Sequence, residues 1–315
     1  MLNEAIRITV GVAPYDAACK RVLMEREIAS RLVKACVPEY ECVPLDEVAG
    51  RCILGDPGTK KGAGAPPLLR GLRNDDNDVL NGDATFDMVI AAKAPGPDGR
   101  DMLLDIEPQG EVGRLPYPLP RRSLFYCARL VTSQHGVTFA NDDYQDLRKV
   151  YSIWVCLRPP KGTENTITRY EMAKRDVIGF VEDDSAEYDL MTVVMVRLGE
   201  PGTAGYNGIL GLLGTLFSND VPNDEKLRVL ADEYGIVPGE RFKEEVAHVG
   251  SFGEAVFADG AAKMAVANIR SLMANTGWTL DRAMDALSIP AEDRERYAEE
   301  IASAEESEGA VTLEA

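Results

Sequence analysis

Four polar residues sit in or beside two short apolar runs: Asp87 in Phe86–Ala91, and Asp105, Glu107 and Gln109 in and just after Met102–Glu107. Side chains alternate faces along a strand, so Asp105, Glu107 and Gln109 share one face of the second run. A strand with one solvated face gives the same alternation with no chemistry attached, and it is the companion Asp87 that shifts the reading. A single acid in an apolar strand is costly to bury without a partner or a metal. Pairing the two runs can bring Asp87 close to Glu107. Two adjacent carboxylates repel, and a hard cation such as Mg²⁺ or Mn²⁺ relieves that repulsion through oxygen ligands. A cation held there polarises a phosphodiester and helps generate hydroxide from bound water. Gln109 can orient that water but supplies no positive charge.

The elements around these residues are legible in outline. Between the two runs lies Pro95-Gly96-Pro97-Asp98-Gly99-Arg100, dense in turn formers, so the pair reads as a hairpin. Upstream, Tyr15 to Lys34 carries apolar residues at helical spacing with no Gly or Pro, and Pro38 ends it. A short amphipathic piece, Leu45 to Ile53, stops at Gly55-Asp56-Pro57, and residues 57–83 collect loop formers. Downstream, Arg121 to Gln134 predicts a helix, and Val150–Leu157 and Leu190–Leu198 predict buried strands from their β-branched and aromatic content. From Asn207 onward only helical patterns remain, which gives a mixed α/β core over 1–200 and a helical C-terminal region with an acidic tail over 201–315. Pro108 removes a ladder hydrogen bond, so the strand is expected to be bulged or locally unpaired there.

The ordered stretches GDATFDMVIAAK, MLLDIEPQG, YPLPRRSLFYCARLVTSQHG and YQDLRKVYSIWVCL resemble the bacterial PD-(D/E)XK nuclease family transposases, relatives of the recombination-promoting nucleases. The likeness lies in an FD strand, an E-x-Q strand, an R-x-x-x-Y helix and a K-V-Y-S-I-W-x-C strand in that order. It extends upstream through ASRLVKACVPEY and LDEVAGRCILGDP, and downstream through VIGF, VVMVRLG and DEYGI, covering residues 15–240. The resemblance implies a restriction-endonuclease-like core, a mixed central sheet flanked by helices, that hydrolyses DNA with a divalent metal. It matches Asp87 to the metal-binding aspartate, Glu107 to the glutamate of E-x-Q, and Gln109 to a position that is lysine in the wider superfamily. Arg122 and Tyr126 match the R-x-x-x-Y helix, with phosphate or structural contacts expected. Glu27, in preference to Glu25, takes the place of the first-helix glutamate that many superfamily members add to the metal site, although the helix register equally allows either to be a solvated surface acid.

Composition limits the other classes. Six cysteines without a CxxC pair, and two histidines (His135 and His248) without a partner at ligand spacing, disfavour zinc and histidine-base chemistry. No run approaches a membrane span, and the start lacks the pattern of a secretory signal, so a cytoplasmic address is expected. The net charge of −18 opposes tight DNA binding. Its distribution softens this, because residues 112–175 carry eleven Lys/Arg against five Asp/Glu, and the segment from 291 carries nine acids against two arginines. Tyr151 and Trp154 read as core rather than base-stacking residues, and NGILGLLG (207–214) as a close-packing helix rather than a phosphate loop. DNA is the expected partner, and cutting both strands favours a homodimer. A catalytically silent protein that keeps the scaffold for binding is the alternative, motivated by the acidic charge, Pro108 and the missing lysine at 109. A hydrolase acting on RNA or nucleotides uses the same carboxylate–metal chemistry and stays open at this point.

Overall fold

The computed structural model describes residues 15, 17–54, 75–76, 84–85, 88–96, 99–287, 289, 294, 297–298 and 301. The chain divides into two compact units, 1–250 and 251–315.

The first unit is built on one six-stranded mixed sheet, with β1 Ile53–Leu54, β2 Met88–Lys93, β3 Asp101–Glu111, β4 Lys149–Arg158, β5 Thr166–Glu171 and β6 Met191–Arg197. Their spatial order is β1-β2-β3-β4-β6-β5. β1 to β3 form an antiparallel meander, β4 lies parallel to β3, β6 parallel to β4, and β5 closes the far edge antiparallel to β6. A separate two-residue ladder pairs 75–76 with 84–85. Among the helices are α1 Arg26–Cys36, α2 Leu119–Thr132, α3 Gly208–Phe217, α4 Asn223–Tyr234, α5 Glu240–Thr276 and α6 Leu280–Ala286.

Both faces of the sheet are covered, which is why its central strands read as near-continuous apolar runs. Met102, Leu104 and Ile106 of β3 and Tyr151, Ile153 and Val155 of β4 join a core with the buried stripe of α1, including Ile28, Leu32 and Cys36. The alternate residues, Leu103 of β3 and Val150, Trp154 and Cys156 of β4, pack on the other face against Leu119, Tyr126, Cys127 and Leu130 of α2. Asp105 and Glu107 of β3 therefore share a face with α2.

Several expectations are refined. The first helix is interrupted: 17–24 is helical, Glu25 takes an extended backbone (φ −59°, ψ 127°), and α1 starts at Arg26. The α2 helix begins at Leu119 rather than Arg121, with Pro120 in its first turn, where a missing N–H costs nothing. No bulge occurs at Pro108: the β3–β4 register runs unshifted through Glu107↔Trp154, Pro108↔Val155 and Gln109↔Cys156. Pro108 also lies beyond Met88↔Ile106, where the described β2–β3 ladder ends. The glycine-rich helix packs closely as expected. At Gly214 of α3 a Cβ would collide with the Tyr206 ring, whose hydroxyl hydrogen-bonds Thr215 Oγ1 at 2.7 Å.

The last strand ends at Arg197, close to the composition change near 200, and the first unit continues through α3 and α4 to Gly250. The second unit has its own apolar cluster of Ile269, Ala283, Met284, Tyr297 and Ile301. Thr279 caps α6 by accepting from the Arg282 N–H. Among the described residues no helix is long and apolar enough to cross a membrane.

Candidate active site

Glu107 and Gln109 occupy the C-terminal end of β3, at the centre of the sheet, on the face covered by α2. Glu107 is 2% exposed and Gln109 half-buried. Their position follows from the sequence: alternation fixes the face, and Met102, Leu104 and Ile106 anchor the strand in the opposite core.

From α2, Arg122 reaches this end of β3. Its Nη1 donates to Gln109 Oε1 at 3.4 Å and its Nη2 to the Tyr126 hydroxyl at 3.1 Å. The guanidinium lies over two rings, 5.1 Å from the centroid of Tyr126 and 5.3 Å from that of Trp154. Those rings meet edge to face at 5.5 Å. The spacing of four residues along α2 brings Arg122 and Tyr126 onto one stripe, and the β3–β4 pairing sets Trp154 beside Glu107. Burial works against the charge of Arg122, but the Tyr126 hydrogen bond and the negative charge of Glu107 contribute to a net pKa above the usual guanidinium value. The arginine is therefore a fixed cation beside a buried carboxylate.

Beneath this pair runs a buried polar chain that sequence reasoning did not single out. Asp105 is fully buried, its Oδ2 accepts from Ser152 Oγ at 2.9 Å, and Ser152 Oγ accepts from Trp154 Nε1 at 2.9 Å. The available signal was the two-residue step from Asp105 to Glu107 on one face together with a serine in an otherwise apolar strand. Cys127, on the same side, is no nucleophile: burial, with the Asp105 charge adding, pushes its thiol up to about 12.

The other candidates are distributed as follows. Asp87 lies outside the described residues, and its neighbour Met88 pairs with Ile106. Glu27 is exposed on α1, the helix of the opposite sheet face, and accepts from Arg31 Nη1 at 2.6 Å. No described contact joins it to Glu107 or Gln109. Tyr151 faces the α1 core, with its hydroxyl donating to Glu39 Oε2 at 2.6 Å, and Trp154 is buried, so both are core residues. Among the described residues no group of three His, Cys, Asp or Glu side chains gathers for a metal. The oxygen donors present, the Glu107 carboxylate and the Gln109 amide, suit a hard cation rather than a soft one.

Comparisons with protein-family models, with curated proteins and with solved structures find nothing that matches this chain.

Proposed function

We propose that this chain is a Mg²⁺- or Mn²⁺-dependent DNA endonuclease of the PD-(D/E)XK kind, associated with transposition or recombination, with a restriction-endonuclease-like core. The observation that supports it most is the convergence of Glu107, Gln109 and Arg122 at one end of a central strand, in a six-stranded mixed sheet with helices on both faces. On this reading Asp87 and Glu107 would hold the metal, which when bound polarises the phosphodiester and activates water. The Gln109 amide orients the attacking water, and Arg122, fixed by Tyr126 and Trp154, neutralises charge building on the phosphate. Glu27 has no part in it, because its carboxylate is turned to Arg31 on the solvent side of α1.

The test is plasmid nicking at low salt with Mg²⁺ or Mn²⁺, run beside Asp87→Ala and Glu107→Gln. Both variants are expected to lose roughly 100-fold or more of the metal-dependent rate while keeping the wild-type circular dichroism. Nicking at the wild-type rate by either folded variant would overturn the assignment.

The second reading, a catalytically silent binding scaffold, is favoured by one observation: the Gln109 oxygen is already engaged by Arg122. Calorimetry separates the two. An enzyme shows Mn²⁺ binding that disappears in Asp87→Ala, whereas a silent scaffold shows none.

A further inference from the structure

The segment between β5 and β6 pushes apolar side chains into solvent. Val177 is 89% exposed, Ile178 96%, Phe180 80% and Val181 60%. These four are consecutive but for Gly179, whose positive φ of 73° makes the turn at the tip. Single exposed apolar residues need no explanation, but a contiguous patch on a monomer marks an interaction surface.

The loop is held in shape. Lys174 Nζ bridges Asp176 at 3.3 Å and Asp183 at 3.2 Å, and lies 5.4 Å from the Phe180 ring centroid. One side chain thus ties the ascending limb of the loop to the descending limb and leaves the apolar tip outside. A preformed tip loses little conformational entropy on docking. It also stands directly after β5, an edge of the sheet, which among the described residues pairs on one side only, with β6.

The charges identify the occupant. The ascending limb carries Lys174, Arg175 and Asp176, and the descending limb carries Glu182, Asp183 and Asp184. Lys174 is engaged by Asp176 and Asp183, which leaves Arg175 as the outward cation of the first limb and Glu182 as an outward acid of the second. Among the described residues Arg175 and Glu182 form no ion pair. A surface complementary to this loop needs an apolar centre, an acidic side facing the basic limb and a basic side facing the acidic limb. The loop itself has all three. A two-fold axis perpendicular to the plane of the loop, packing tip on tip, sets Arg175 of each copy towards Glu182 of the other, a reciprocal pairing of the isologous kind.

We infer that the 174–184 loop is a self-complementary dimerisation arm whose occupant is a second copy of this chain. The inference stands on the loop alone and is independent of the nuclease reading.

Sedimentation velocity of the full chain at micromolar concentration is the test. The wild type is expected to run at twice the chain mass. Arg175→Glu, which sets acid against acid, is expected to weaken self-association by ~10-fold or more, and Arg175→Glu with Glu182→Arg to restore it. Both changes lie in exposed positions outside the core, so folding is preserved. A cross-link supplies an independent readout. Ile178→Cys, in a Cys42→Ser background that removes the exposed native thiol, is expected to give a covalent dimer on oxidation. A monomeric wild type overturns the inference. So does a dimer that is indifferent to Arg175→Glu and gives no cross-link through position 178.

Discussion

Arg122 is the side chain on which the candidate site turns. Its guanidinium is planar and sits across the rings of Tyr126 and Trp154 while donating to Gln109. Lysine carries the same charge but neither stacks flat nor donates in two fixed directions. Arg122→Lys is therefore expected to lower the nicking rate about 10- to 100-fold with little change in melting temperature. A rate equal to the wild type would reduce Arg122 to a packing residue. At this scale the sequence carried part of the site and withheld part. The face shared by Asp105, Glu107 and Gln109 follows from strand alternation, which any reader of the chain can apply. The Asp105–Ser152–Trp154 chain does not, because it joins β3 to β4, and the register of a parallel pair is written nowhere in local sequence. Glu27 is the ambiguous case. A glutamate on the first helix is equally suited to a metal and to an i,i+4 partner, and the structure gives it Arg31.

Among the elements, the β2–β3 hairpin decides where Glu107 stands. Its ladder runs from Lys93↔Asp101 to Met88↔Ile106, and its turn is closed by the Ala94 N–H donating to the Arg100 carbonyl at 2.9 Å. Gly99 is required there, since a Cβ would overlap the Ala94 carbonyl. Gly99→Ala is expected to destabilise the first unit by about 1–3 kcal/mol, read as a lower denaturant midpoint at unchanged slope. An unchanged midpoint would mean that the turn rearranges freely. The buried strands were legible because both faces of the sheet are covered and their composition shows it. The β5 edge was not. Thr166–Glu171 is exposed along most of its length, with only Ile167 packed on the core, so no apolar period announces it. The start of α2 was misplaced by two residues because prolines read as loop, although the first helical turn accepts them.

At the scale of the whole molecule, Lys226 marks a cost built into the fold. It is fully buried on α4, its Nζ has no hydrogen-bond partner among the described residues, and burial lowers its pKa to about 8. A lysine whose folded pKa lies below its unfolded value opposes folding wherever the unfolded chain holds the extra proton. The cost is full below pH 8 and fades as pH rises towards 10.5, the ordinary lysine value. Lys226→Met is thus expected to stabilise the protein by about 1–2 kcal/mol at pH 7, a figure reduced for solvent screening, with the gain gone near pH 10.5. A gain constant across that range would exclude charge burial as its cause. The central pairing of β3 with β4 has a further consequence, in time rather than in space. Glu107 faces Trp154 across a parallel pair, so the two meet only after the chain closes a long crossover through α2. The hairpin can zip locally within microseconds, but the parallel pair must first meet the entropy of that closure. A chain caught before that closure therefore carries Glu107 without Trp154 beside it, and the candidate site is complete only once the crossover has closed.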